Sequence, residues 1–191
     1  MIPLLIGSIL TVAVILERLY RLSGMQRGGQ AFRTRLRDLL RDGKLAEARE
    51  WLRGQKGPVA EVGLAAAEHW DRSPEVLEAA LAVAARRSLP PLERYLPVLE
   101  TAVTAAPLVG LLGTITGMMG VFRVVAQRLA HDPGADTGHI TAGIGEALVA
   151  TAFGIVIAVV AILFFNGFRS FIDGLLDEAE LLAAELVVLR A

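Results

Sequence analysis

The chain contains no cysteine, which excludes a disulfide framework, thiolate catalysis and cysteine-ligated metal in one step. Its three histidines, His69, His131 and His139, have no metal-binding spacing and read as surface residues, so neither a metal nor a cofactor is expected. No glycine-rich phosphate loop, H-E-x-x-H or G-x-S-x-G pattern occurs. Acid pairs such as Asp177 with Glu178 fall on a surface helix, and the chain is not expected to be an enzyme. Aromatic residues make up only 6% of the sequence; none interleave with the arginines, which argues against nucleic acid as a partner.

Charge is missing from three long stretches, Met1 to Leu16, Thr101 to Phe122 and Ala147 to Phe168. The last two are each long enough as helices, about 33 Å, to cross a hydrocarbon core of about 30 Å. The first is shorter but has no basic n-region or small-residue cleavage site to mark a signal peptide. With Leu19 and Tyr20 completing its apolar face and Arg18 and Arg21 reaching toward headgroups, it makes a short span. Apolar residues reach 54% of the chain and mean hydropathy is +0.53, values that suit an integral membrane protein in contact with lipid.

The charges that remain are segregated. Fifteen of the nineteen Lys and Arg residues lie between Arg18 and Arg94, and the connection between the second and third spans carries only Arg123 and Arg128. The positive-inside rule makes the large first loop cytoplasmic, with the N-terminus periplasmic and the C-terminus cytoplasmic. Expected segments are a first transmembrane helix at 1–20, a cytoplasmic helical domain at 21–91, and a long helix holding the second span at 92–125. An outer loop at 126–141, the third span at 142–168 and a cytoplasmic C-terminal helix at 169–191 follow. The fold class is all-α.

Within the cytoplasmic segment, Asp42-Gly43 ends one helix, Gly54 a second, and Pro58 opens a third. Ser73 as N-cap, Pro74 and Glu75 begin a fourth, which Pro90-Pro91 is expected to stop. After the third span, Ile172, Leu175, Ala179, Leu182, Leu186 and Leu189 recur at spacings of three and four. That spacing fits either a heptad seam extending the membrane helix inward or an amphipathic tail packing on its own subunit.

The two long spans carry stripes of small residues. At 100° per residue, Gly110, Gly113, Thr114, Gly117 and Gly120 fall within roughly 120°, and Gly143, Ala147, Thr151, Gly154, Ala158 and Ala161 within about 80°. Glycine in a helix interior costs roughly 1 kcal/mol relative to alanine. Lipid gives no hydrophobic reward for helix association, so such stripes read as close-contact faces, with Pro107 beside them. The hydroxyls of Thr114 and Thr151 fall at middle depth and are underexplained by packing. Each can bond its own helix carbonyl, or the two can line a path for water or a protonated partner side chain. Glu146 marks the outer end of the third span, near the edge of the small-residue face. It reads either as a boundary carboxylate in water or as the mouth of a proton path.

The stretches "APLVGLLGTITGMMGVF" and "GIGEALVATAFGIVIAVVAILFFN", in this order and with a short connection, resemble the second-span and third-span signatures of the MotA/TolQ/ExbB proton-channel family, in its three-span, ExbB/TolQ-like form. Ala106, Pro107, Gly110, Leu111, Gly113, Thr114 and Gly117 match the first signature. Gly143, Glu146, Ala147, Leu148, Thr151, Ala152, Gly154 and Asn166 match the second. Many relatives carry a proline near Val160, and this chain does not. The resemblance implies a homopentamer around a dimer of single-span ExbD/TolR-like subunits, acting on a TonB/TolA-like protein. The titrating aspartate would belong to the partner, Thr114 and Thr151 would be polar pore-lining groups, and Glu146 would lie in the proton path. The expected function is a proton-channel stator subunit that uses the proton-motive force. A passive oligomeric scaffold without ion conduction is the alternative.

Overall fold

The computed structural model describes residues 2–25, 28–129 and 138–190. These form seven helices, α1 (Ile2–Ser23), α2 (Gln30–Arg41), α3 (Leu45–Arg53), α4 (Pro58–His69), α5 (Pro74–Glu93), α6 (Leu96–Leu129) and α7 (Gly138–Arg190), with no strand among the described residues. Three of the helices are long and apolar enough to cross a membrane: Ile2–Ser23, Leu96–Gln127 and Thr141–Arg190. Two compact units divide the chain, a membrane unit of Met1–Glu17 with Tyr95–Asn166, and a second unit of Arg18–Arg94 with Gly167–Ala191.

The second unit has a leucine core. In α2 the buried residues Phe32, Leu36, Leu39 and Leu40 recur at helical spacing, so one face of an otherwise charged helix is driven inward. The first turn of α4 places Pro58 after Gly57, whose φ of 114° is a conformation that glycine adopts without a Cβ penalty. The small faces of α4 let neighbours close in: a Cβ on Gly63 would lie 3.0 Å from Leu36 Cδ2 and 3.1 Å from Leu52 Cδ2. Leu77 and Leu81 of α5 complete this core, together with Ala179, Leu182 and Leu186 of α7. The membrane helix extends inward as one unbroken helix, and its seam from Ala179 to Leu189 packs on helices of its own subunit. At about 1.5–3 kcal/mol for each fully buried leucine, this burial is the main stabilising term of the unit.

Arginines finish several helix ends in this unit. Arg49 donates through Nε and Nη2 to the Ala67 carbonyl at 3.1 and 2.8 Å, and Arg190 Nε donates to the Trp70 carbonyl at 2.9 Å. The last carbonyls of a helix have no intrahelical donor, and a cation there also complements the helix dipole. Arg18 does the same for α5: its Nη1 donates to the Leu92 carbonyl at 2.7 Å, and the residue is fully buried. The expectation that Arg18 reaches toward headgroups is thereby corrected. A guanidinium offers five donors, and a buried carbonyl 74 positions away is what it meets.

Two boundaries also differ from expectation. Helix α5 continues through Pro90 and Pro91 to Glu93, because proline's φ is already helical and the loss is confined to two N–H donors. The break falls instead at Tyr95, whose φ of 70° is uncommon for a residue with a side chain, and α6 starts at Leu96 rather than at residue 92. Ser73 occupies the N-cap of α5 but makes no side-chain bond to the backbone there. Its hydroxyl instead bonds Glu75, and this bond is the first cause that holds the Glu75 carboxyl below its ordinary pKa.

Much of the expected outer loop, 126–141, lies outside the described residues, although α6 extends to Leu129 and α7 begins at Gly138. His131 and the side chain of His139 fall outside them too, and His69 Nδ1 lies 3.0 Å from the Ala65 carbonyl oxygen.

Candidate functional site

In the membrane unit α6 and α7 approach until their backbones touch. A Cβ on Gly110 would lie 2.9 Å from the Ala150 carbonyl oxygen and 3.0 Å from Thr151 Cα, and one on Gly154 would lie 2.5 Å from the Ala106 carbonyl oxygen. Backbone atoms cannot turn aside, so only glycine fits at these two points. Along the same contact, a Cβ on Gly113 would be 2.8 Å from Ala150 Cβ, one on Gly117 2.8 Å from Ala147 Cβ, and one on Gly143 2.5 Å from Val121 Cγ2. Ala147 and Ala158 are buried in the same unit. Gly120 differs from these: a Cβ there would meet no heavy atom within 4 Å among the described residues.

This approach joins the two threonines. Thr114 Oγ1 and Thr151 Oγ1 lie 2.9 Å apart. Thr114 Oγ1 also donates to the Leu111 carbonyl at 2.7 Å, and Thr151 Oγ1 reaches across to the Gly110 carbonyl at 3.0 Å. A hydroxyl has one proton and two lone pairs. With the Thr114 proton on Leu111, the Thr151 proton is shared between Thr114 and Gly110, so both donors are used while acceptor capacity remains. Both residues are half-buried, with one edge of the pair uncovered by this subunit. Counted along the charge-free stretches, Thr114 lies thirteen residues from Thr101 and eight from Phe122, and Thr151 four from Ala147 and seventeen from Phe168.

The carbonyl of Gly110 belongs to this site, although the sequence pattern assigned Gly110 to packing alone. A glycine leaves its own backbone open to a neighbouring hydroxyl, and the coincidence of Gly110 with Thr114 one turn later is the signal that marks it. Glu146 is not brought to the pair. It is exposed, and five residues of α7 carry it about 140° around the helix from Thr151. Pro107 is half-buried inside α6. Among the described residues no group of three His, Cys, Asp or Glu side chains could hold a metal ion.

A family model described as the MotA/TolQ/ExbB proton channel family matches residues 53–181, more than half of the chain and all of the α6–α7 contact. The chain belongs to this family. A protein of Synechocystis named ExbB-like 3 is 35% identical over 169 residues, which cover 88% of this chain and 80% of that protein. The Tol-Pal system protein TolQ of Pseudomonas aeruginosa is 40% identical over 91 residues, or 48% of this chain and 38% of TolQ. The biopolymer transport protein ExbB of Pseudomonas putida is 35% identical over 92 residues, 48% of this chain and 27% of that one. Against the last two, the chain spans well under half of the relative's length. As a MotA/TolQ/ExbB member with three membrane-length helices, it is a multi-pass inner-membrane protein of a channel family. Its α7 runs without interruption through Val160, where many of the family's members carry a proline.

Proposed function

We propose that the chain is the channel-forming stator subunit of an ExbB/TolQ-type motor. A pentamer of it surrounds a dimer of single-span ExbD/TolR-like subunits, whose membrane aspartate titrates against the Thr114–Thr151 pair. Proton passage drives relative motion, which a TonB/TolA-like protein carries across the envelope; each elementary charge brings about 2.3 kcal/mol per 100 mV. The N-terminus is periplasmic, and the basic unit and C-terminus are cytoplasmic, a placement that the distribution of Lys and Arg supports.

One observation carries this reading: a hydroxyl pair inside the charge-free stretches of two helices, with both protons committed and acceptor lone pairs left on a half-buried edge. Such a pair accepts a hydrogen bond from a protonated carboxyl, offers none to a carboxylate, and so favours the neutral form of an acid beside it. Glu146 acts apart from the pair. Being exposed about 140° around α7, it lies in the outer approach of the path or positions the end of the helix against a neighbour. The other small residues, Pro107, Gly110, Gly113, Gly117, Gly143, Ala147, Gly154 and Ala158, set the spacing that makes the pair, and Gly120, open within this subunit among the described residues, packs against a neighbouring copy.

A passive scaffold uses the same contacts without conducting. Co-purification from the native membrane, followed by proton flux in proteoliposomes, separates the two. The motor reading expects a single-span partner with a membrane aspartate, and flux that drops sharply in Thr151→Ala and measurably in Glu146→Ala while the oligomer persists. Unchanged flux in both variants overturns the assigned path, and loss of assembly in both favours the scaffold.

A further inference from the structure

The face of α6 that carries Thr114 does not end in hydrocarbon. Taking Thr114 as zero and 100° per residue, Pro107 projects at about 20°, Val103 at about −20°, Glu100 at about 40° and Thr104 at about 80°. Proline has no N–H, so Pro107 gives nothing to the carbonyl of Val103, the group that a helical N–H four residues on would otherwise satisfy. A carbonyl freed at membrane depth costs several kcal/mol against lipid, and irregular backbone is tolerated there where protein or a water-filled cavity meets it. Below it, Thr104 donates its hydroxyl to the Thr101 carbonyl at 3.1 Å, which leaves its lone pairs to accept. Thr104 and Glu100 are both exposed, and Glu100 is the acid immediately before the charge-free stretch.

We infer that this face is the inner half of the proton path, with Glu100 as the proton-accepting group at its cytoplasmic mouth. The inference rests on the motor reading and its orientation. Polar groups descend from the Thr114 hydroxyl to the Val103 carbonyl, the Thr104 hydroxyl and the Glu100 carboxylate, over about 21 Å of helix. Water bridges the intervals, the longest being the stretch of about 16 Å of helix between Thr114 and Val103. A hydronium at the lower end gives its proton to the Glu100 carboxylate, and the resulting acid releases it to bulk water. Only O–H bonds change, and no proton is gained or lost overall.

The absence of native cysteine makes the test direct. Single cysteines at Thr104 and Leu111 on this face, and at Ala105 and Leu112 around the helix from it, are placed in the full chain. The chain is assembled with a cysteine-free form of its single-span partner in proteoliposomes. A membrane-impermeant thiol reagent added on the side of the basic unit is expected to label Thr104→Cys and Leu111→Cys, and to label the other two at least roughly tenfold more slowly, since thiolate forms only where water reaches. Glu100→Gln is expected to lower proton flux roughly tenfold. That is less than the roughly 10²- to 10⁴-fold of an enclosed acid–base group, because water substitutes in part at an open mouth. Pro107→Ala, which returns an N–H to Val103, is expected to slow both labelling at Leu111→Cys and flux. Equal labelling on both faces, or parent flux in Glu100→Gln, overturns the inner path while leaving the threonine pair standing if Thr151→Val still blocks flux. Parent flux in Thr151→Val removes the pair from the path, and absence of flux from the assembled parent complex overturns the motor reading itself.

Discussion

The two units of this chain are held together by opposite means. In the second unit large side chains make the contacts: Leu36, Leu52, Leu77, Leu81, Leu182 and Leu186 are almost completely buried, and removing them from water is the driving force. In the membrane unit the contacts are made by what is missing, since Gly110 and Gly154 bring backbone against backbone while large residues such as Leu108, Leu163 and Phe153 face outward. The solvent explains the reversal. Lipid is as apolar as leucine and gains nothing from leucine burial, so close approach and hydrogen bonds across the interface carry association. Polar residues are reversed as well. Arginines of the second unit are spent on helix-end carbonyls, whereas the membrane contact uses neutral hydroxyls that can be satisfied without a charge in hydrocarbon.

The largest effect that sharpens this contrast belongs to the leucine core. Leu36→Ala removes a fully buried side chain and is expected to cost about 2–5 kcal/mol, read as a lower melting temperature of the purified protein in detergent, with the Thr114–Thr151 contact unaffected. Next comes a single methyl group in the membrane unit. Gly154→Ala sets a Cβ 2.5 Å from the Ala106 carbonyl oxygen, and overpacking against backbone is expected to cost about 1–3 kcal/mol. Gly120→Ala has no neighbour within 4 Å among the described residues. It is expected to stabilise by roughly 0.5–1 kcal/mol through helix propensity alone. Equal melting temperatures for the two alanine variants would break the claim that close approach, and not glycine content, organises this contact. A Gly120→Ala variant that melts normally as a subunit but no longer assembles would place Gly120 at a neighbouring copy.

Features carried by local pattern were legible before any coordinates. Charge-free runs gave the three spans, and Gly43, Gly54 and Pro58 marked turns of the second unit, because each depends only on residues within one helical turn. Features that depend on distant partners were not. Arg18 looks like a headgroup-facing arginine until the Leu92 carbonyl appears beside it. Pro90-Pro91 looks like a stop until the φ of Tyr95 shows where the chain turns. The seam of α7 is compatible with a partner helix or with its own subunit until α2, α4 and α5 are seen to cover it. At the site, projection identified Thr114 and Thr151 and their shared side, and it set Glu146 near the edge of that face farther from Thr151, about 140° around the helix.

The smallest stability change is expected where the functional change is largest. Thr151→Val keeps the shape and removes one hydroxyl, and Thr114 retains its bond to Leu111. Only the bond across to Gly110 and Thr114 is lost. Hydrogen bonds between membrane helices average about 0.6 kcal/mol, so the melting temperature should move far less than for Gly154→Ala. Proton flux with the partner present should nevertheless collapse, because valine can accept no hydrogen bond from a protonated carboxyl. Thr151→Ser restores the hydroxyl and should recover most of the flux, which separates loss of the polar group from loss of fit. If valine instead melts the contact as severely as a misplaced methyl group while serine conducts no better, the threonines are structural ties between the helices. The membrane unit would then differ from the leucine core only in how it packs.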